Sequence, residues 1–385
     1  MKKVWTFASY VLVAVLASVI TLFVAAQSPV PQGQTKLEQL GDLIEERFIG
    51  EADRTVMDDA AAAAMVDSLG DEWSYYIPAS QYQEHLDQVN NSYVGIGITI
   101  MVREEGDGFL VTKVNVGGPA DVAGMISGDI IVAIEGTSAA GMTTTDASAV
   151  VKGVPDTPVV ITVRRGEETF DLTMIRKEVQ TPVATYQMLP NNLGLITIAN
   201  FDARCYDETK AAIEALLDEG ARALIFDVRN NPGGYKHELV DVLDYLLPEG
   251  PLFRSEDYRG NVTVDESDKD FLDISMAVLV NGDSYSASEF FAAALQEYDA
   301  AIVVGQQTYG KGYFQTTISL NDGSAVGLSV GKYTTPNGVS LAGVGVTPDI
   351  IVEVDEETDF AIYAGTMDPA EDPQIQAAVD ALLFG

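Results

Sequence analysis

The chain is poor in cysteine, histidine and basic side chains. Its 385 residues hold one cysteine, two histidines and 22 lysines and arginines, against 58 aspartates and glutamates. A lone cysteine, Cys205, excludes an intrachain disulfide. With no histidine pattern around it, it reads as a small, partly buried residue rather than a catalytic thiol. A net charge of −36 excludes nucleic acid as a partner, because phosphates need a basic patch. It also excludes a polybasic membrane-surface binder and fits an acid-coated exterior. No His/Asp/Glu cluster has metal-ligand spacing, so neither a metal nor another cofactor is expected. The scarcity of histidine has a further consequence. Neither His85 nor His237 lies near the serine-rich stretch described below, so a serine nucleophile there needs another base.

Charge is also missing from one long run. After a positive "MKK", residues Val4 to Ala26 carry none. As a helix this run spans roughly 35 Å, enough to cross a bilayer core of about 30 Å. Lys2 and Lys3 would stay inside and place the rest of the chain outside the cytoplasm. An uncleaved anchor is the expectation for residues 1–26. A cleaved signal, with the small residues before Gln27 as its site and a secreted or periplasmic product, is the alternative. "QSPVPQGQT" then reads as a linker over residues 27–36.

The remaining length is too great for one ordinary core. "KLEQLGDLIEERF" and "TVMDDAAAAAMVDSLG" have apolar residues at helical spacing, which predicts a small helical segment over 37–91. From Tyr93 short β-like runs follow, such as "YVGIGITI", "DIIVAIEG" and "VVITVRRG", punctuated by glycine and Asp/Asn. They predict a compact β-rich module over 92–178. Beyond Val179 strands alternate with helices: "LGLITIANF", "DETKAAIEALLDEG", "ARALIFDVR", "SMAVLV", "AAIVVG". That alternation predicts an α/β layer structure over 179–385.

Two stretches carry chemistry. In "NGDSYSASEF", Asn281 to Phe290, a strand meets a turn and then a helix. A serine at that junction gains from local N–H groups that can steady an oxyanion. Plain N-capping by Ser284 or Ser286, with Glu289 as box partner, explains the same letters. The base is sought in "GQQTYGKGYFQTT", where Lys311 lies between Gly310 and Gly312, since serine–lysine pairs are a known solution. A lysine base must be neutral, which burial achieves by lowering a pKa of about 10.4 toward 7–8. If Lys311 and Gln315 share the strand "YFQTTISL", their even spacing puts them on one face, where Gln315 can hold the amine. The same stretch falls one residue short of a P-loop, but Gly312 replaces the magnesium-binding hydroxyl and β-patterned sequence follows instead of a helix.

In the β-rich module, "YVGIGI" places two glycines before a strand, where they form either an anion nest or simply a tight turn. "GGPADVAGMISGDIIVAIEG", Gly117 to Gly136, resembles the patterned segment of PDZ domains. That resemblance implies capture of C-terminal ends of protein or peptide substrates, with Gly95, Ile96, Gly97 and Ile98 lining a carboxylate loop and an apolar pocket beside it.

Taken in order, "LGDEWSYYI", "LIFDVRNNPGG", "SASE", "GKGYFQT" and "TPNGVSLAGVGVTPDI" resemble the C-terminal processing, or tail-specific, proteases, a serine–lysine peptidase family, over about residues 37–355. The resemblance implies a crotonase-like catalytic core with an inserted PDZ domain. It implies Ser286 as nucleophile, Lys311 as general base and Gln315 as its orienter, with Ser284 and Ser288 structural. The oxyanion hole would use the Ala287 amide and an amide from Gly233 or Gly234. Asp227, Arg229 and Glu289 form a supporting polar set, for which a structural ion-pair network is an equal reading. Asp283 and Tyr285 stand where the family often has small residues, and Tyr285 narrows the site. An arginine near Arg164 and Arg165 links ligand binding to activity in the family; two solvated charges are the plainer reading of this pair. The expected protein is a membrane-anchored serine endopeptidase. A silent scaffold for C-termini and a serine esterase or acyltransferase are the rivals. A homo-oligomer or a basic adaptor protein is compatible with the charge.

Overall fold

The structure, a computed structural model, describes residues 33–384 apart from Glu104. The apolar run Val4 to Ala26 lies outside the described residues, and among those described no helix is long and apolar enough to cross a membrane. The chain divides into two compact units after Tyr76.

The first unit is a helix pair. Lys36–Arg47 starts from a reciprocal cap, in which Glu38 N–H donates to Thr35 Oγ1 at 3.3 Å and Thr35 N–H donates to the Glu38 carboxylate at 2.6 Å. Arg54–Asp67 is capped by Asp53. Its first residue, Arg54, reaches Asp42, Glu45 and Asp58, so the two helices share one cation.

The second unit opens with the helix Ala79–Val89 and a two-stranded ribbon. In that ribbon Ser92–Gly95 pairs antiparallel with Lys177–Gln180, closing the base of everything between them. Between them an antiparallel sheet runs Ile98–Val102, Phe109–Val114, Ile130–Ile134, Pro158–Arg165, Glu168–Ile175, with Thr137–Ser138 on the third strand. Alternate residues of Pro158–Arg165, namely Val159, Ile161 and Val163, are fully buried. They pack with Ile96, Phe109, Ile131 and the helix Thr144–Val151 in a core of this module's own. Arg164 pairs with Asp107, and Arg165 donates to both oxygens of the buried Asp129 at 2.7 Å. Both arginines are therefore engaged inside the module. Burial opposes the Asp129 charge, but Arg165 outweighs it and holds the carboxyl below its usual range.

The rest is a parallel sheet with helices on both faces. A hairpin, Ala184–Leu189 with Leu193–Ile198, leads into Ala223–Asp227, Ser275–Val280, Ala301–Gly305 and Ile350–Ile351, all parallel after the hairpin. Strands buried on both faces need no polar alternation, and Ala223–Asp227 is buried throughout. Side chains of period two divide between two cores. Leu224, Phe226, Val278 and Val280 face the helices Cys205–Asp218, Lys236–Leu246 and Ala287–Glu297. Ile225, Ala277 and Leu279 face the helix Pro373–Phe384. A second, antiparallel sheet places Ala325–Thr334 between Tyr313–Ser319 and Gly250–Asp257, the last paired with Val262–Ser267.

Candidate active site

Parallel strands all end at one edge, and the crevice outside their carboxyl ends is where α/β sheets place ligands. Each stretch singled out for chemistry follows such an end: "VRNNPGG" after Ala223–Asp227, "NGDSYS" after Ser275–Val280 and "QQTYGKG" after Ala301–Gly305. The sheet order thus gathers segments far apart in sequence.

Local bonding separates the three serines. Ser284 is fully buried, and its Oγ donates to Val228 O at 2.7 Å and accepts from Asn281 N at 3.0 Å. Ser288, equally buried, donates to Asn231 O and Tyr285 O. Both fasten the turn. Ser286 stands at the N-cap of Ala287–Glu297 with φ +63° and ψ −124°, a conformation costly for a residue with a Cβ. Its Oγ accepts from the hydroxyl of Tyr333 at 3.3 Å.

The turn tolerates that backbone because neighbouring groups fix it. The carboxylate of Glu289, fully buried, accepts from Ser286 N (3.0 Å), Thr308 Oγ1 (2.6 Å), Gly310 N (2.6 Å) and Lys311 N (2.9 Å). Burial pushes this carboxyl up, and the four donors work against that shift. One carboxylate therefore ties the backbone of Ser286 to that of Lys311. Gly310 and Gly312 allow the lysine loop to press on the segment 342–345: a Cβ on Gly310 would lie 2.9 Å from Val344 N, and one on Gly312 would collide with Ala342.

Gly233 is held against the serine. Its φ is +90°, and a Cβ there would lie 2.7 Å from Ser286 Cβ and 2.8 Å from Ala287 N. Its own N–H donates to Asn231 Oδ1 at 2.8 Å. Gly233 O accepts from Phe201 N and Phe201 O accepts from Tyr235 N, each at 2.7 Å, which locks the glycine turn to the end of Leu193–Ile198. Beside it, burial and the nearby Glu238 push the Asp202 carboxyl up to about 7.

Geometry corrects one sequence expectation and, for a second, favours the ion-pair reading already open to it. Lys311 does not share a strand with Gln315: the strand begins at Tyr313, and a register shift between Phe314 and Gln315 breaks the alternation. Gln315 Nε2 donates across the ladder to Ser329 Oγ at 3.0 Å and to Tyr313 O at 3.3 Å. The polar set of Asp227, Arg229 and Glu289 also separates. Arg229 bonds Asp227, Asp372 and Gln374, fixing the start of Pro373–Phe384, while Glu289 serves the serine and lysine segments. Burial alone would lower the Arg229 pKa; Asp227 and Asp372 outweigh it and raise it. Tyr333 is the residue sequence reasoning missed. It lies on Ala325–Thr334, a strand whose letters carry no motif that points to a site. Tyr285 and Tyr309 pair at 5.8 Å between ring centroids, which places a second aromatic beside the one flanking Ser286.

The β-rich module carries a groove of about 720 Å³. Ile96, Gly97, Ile98 and Ile100 line one side, whereas Gly95 sits in the ribbon opposite Lys177. Ile96 O accepts from Ala120 N and Gly97 O from Asn115 N, both at 2.9 Å. In a trans peptide C=O and N–H point apart, so the N–H groups of Gly97 and Ile98 face away from those partners. The lining is less apolar than expected. Val151 faces it, but Thr144, Thr145 and Ser148 add hydroxyls, and the charges are Lys113, Lys152 and Glu84. Lys152 Nζ lies 5.8 Å from the centroid of Tyr93, whose ring rests on Gly95.

Residues 192–352 match the sequence pattern of peptidase family S41, and residues 110–165 match a PDZ domain. A "Probable CtpA-like serine protease" of Staphylococcus aureus (strain N315) is 30% identical over 335 residues, covering 86% of this chain and 67% of the relative. This chain belongs to peptidase family S41. The "Carboxy-terminal processing protease CtpA" of Bacillus subtilis (strain 168) is also 30% identical, over 354 residues, covering 89% of the S41 chain and 75% of that protein. A solved structure, "Crystal structure of Putative S41 protease from Bacteroides fragilis NCTC 9343 at 2.00 A resolution", is 14% identical and covers 92% of this chain and 98% of its own with a TM-score of 0.55, a likeness of fold. The protein is thus an S41 protease with an α/β fold and a PDZ domain, similar to C-terminal processing proteases.

Proposed function

We propose that this S41 protease is a serine endopeptidase that takes unstructured, apolar C-terminal tails of proteins outside the cytoplasm. Its PDZ domain holds the tail, and Ser286 and Lys311 hydrolyse the peptide bond. The carrying observation is the shared Glu289 carboxylate, which binds Ser286 N and Lys311 N at 3.0 and 2.9 Å. A purely capping serine has no need of a lysine loop fixed to the same acceptor.

In this reading Ser286 Oγ attacks the scissile carbonyl carbon and its proton passes to Lys311 Nζ. The carbonyl π electrons move to oxygen. The proton then goes to the leaving amine, and water activated by Lys311 hydrolyses the acyl-enzyme. The Ala287 N–H at the helix start is one oxyanion donor. Because Gly233 N–H serves Asn231, Gly234 supplies the second in preference to Gly233. Gln315 acts on the lysine loop through its strand, and Asp227 and Arg229 support the fold. In the groove, Gly97 and Ile98 N–H groups receive the tail carboxylate, and the tail adds to the strand edge. The core is assigned as crotonase-like, and residues 1–26 as a membrane anchor, both on the family resemblance and the sequence.

The test is cleavage of an unfolded protein with an apolar C-terminus by the full chain in detergent, beside Ser286→Ala and Lys311→Ala. Cleavage by the parent alone supports the assignment. Equal cleavage by all three, or none by the parent, removes it.

A further inference from the structure

The hydroxyl that meets Ser286 comes from the other sheet. Tyr333 lies on Ala325–Thr334, opposite Ser255 of Gly250–Asp257, and is 4% exposed. Its ring is wedged against Phe290 (4.3 Å between centroids) and Phe253 (5.4 Å), with Phe314 stacked at 6.2 Å. Its N–H donates to Gly312 O at 3.3 Å, beside Lys311. A ring so enclosed has little freedom to turn its hydroxyl elsewhere. Burial, with Glu289 nearby, raises the phenol pKa, so the group stays protonated and remains a donor.

We propose that Tyr333 is a further catalytic residue, whose hydroxyl donates to Ser286 Oγ and stabilises the charge that oxygen carries in the transition states. The inference rests on the reading of Ser286 as nucleophile. An sp³ hydroxyl oxygen has four directions. Cβ occupies one, the hydrogen points at the base, Tyr333 fills one lone pair, and the other lone pair is left for the carbonyl. The resting distance of 3.3 Å is long for O–H···O. Such bonds shorten and strengthen when the acceptor becomes anionic. The stabilisation is therefore small in the ground state and larger as Oγ loses its proton, and again when Oγ departs from the acyl-enzyme. No proton leaves Tyr333 in either step; the one in transit moves between Oγ and Lys311.

The experiment compares the full chain in detergent with Tyr333→Phe and Ser286→Ala, on dye-labelled unfolded casein and on covalent labelling by a fluorophosphonate. Tyr333→Phe is expected to lower kcat by about 10- to 100-fold with KM within about twofold, and to slow labelling similarly, with an unchanged melting temperature. Wild-type kcat and labelling rate in Tyr333→Phe, or a change in KM alone, would overturn the role of Tyr333 while leaving Ser286 in place. A Ser286→Ala protein that still cleaves and still labels overturns the nucleophile reading, and the proposal with it.

Discussion

Both candidate sites of this S41 protease are built on glycine turns, but to opposite tolerances. At the serine, a Cβ on Gly233 would stand 2.7 Å from Ser286 Cβ, nearer than packed atoms come. In the groove, a Cβ on Gly97 would meet Asn115 Cβ at 3.4 Å, close to an ordinary contact. The serine site is closed around a buried carboxylate with four donors, and the groove is an open channel lined by hydroxyls and the cations Lys113 and Lys152. Chemistry on one bond needs atoms held to fractions of an ångström. Holding a tail by its backbone and end charge needs far less. Substitutions should therefore be all-or-none at the serine and graded in the groove.

Gly233→Ala should show the largest effect. The methyl displaces Ser286 or the Ala287 amide at a φ that already disfavours it, and kcat should fall more than about 100-fold with tail binding unchanged. Near-normal turnover would show that the turn can yield, which would end the contrast. Glu289→Gln comes next. An amide NH₂ would face backbone donors, leaving at least one buried donor unsatisfied, at about 1–3 kcal/mol. Chemical denaturation should show that loss, and casein turnover should drop with it.

Asp202→Asn tests the electrostatics of the serine site's flank. The folded carboxyl titrates at about 7 against an ordinary 3.8. Between those values the folded state binds more protons than the unfolded one, so wild-type stability falls as pH rises from about 4 to 7 and is level beyond. The asparagine protein should lack that slope and be more stable at pH 8, by about 4 kcal/mol at most. Parallel stability curves for the two proteins would remove the titration from Asp202. The smallest change is expected from Lys152→Gln, a rim cation of the groove. A labelled peptide ending in a free valine should bind a few-fold more weakly at low salt, and the difference should vanish at about 1 M salt. A loss as deep as that of Gly233→Ala would mean the groove is as exacting as the serine.

What was legible in the sequence was local. The strand, turn and helix around Ser286 follow from an apolar run, a polar turn and helix formers in adjacent letters. The α/β alternation and the PDZ pattern are likewise written in short windows. What was not legible depends on which strand lies beside which. Tyr333 reaches Ser286 from a strand in another sheet. Arg229 finds Asp372 and Gln374 far along the chain, so a motif that reads as part of an active site serves to anchor a helix. The face shared by Lys311 and Gln315 failed for a different reason. Strand periodicity holds neither before Tyr313, where the strand begins, nor across the register shift between Phe314 and Gln315, and neither break leaves a mark in side-chain patterning. Likewise the hydroxyl-lined wall of the groove comes from a helix about fifty residues away from "GIGI", beyond the reach of a motif.

The single carboxylate beneath the serine and lysine loops has a mechanical corollary. Drawing Lys311 back by itself would strip Glu289 of donors from its loop while the serine turn stayed put, leaving a buried charge half-solvated by protein. The two loops therefore behave as one part, like jaws on a common pin. Any signal that arrives at this site can displace that part as a whole or reshape the path leading to it, but cannot slide the Ser286 and Lys311 backbones past each other by degrees.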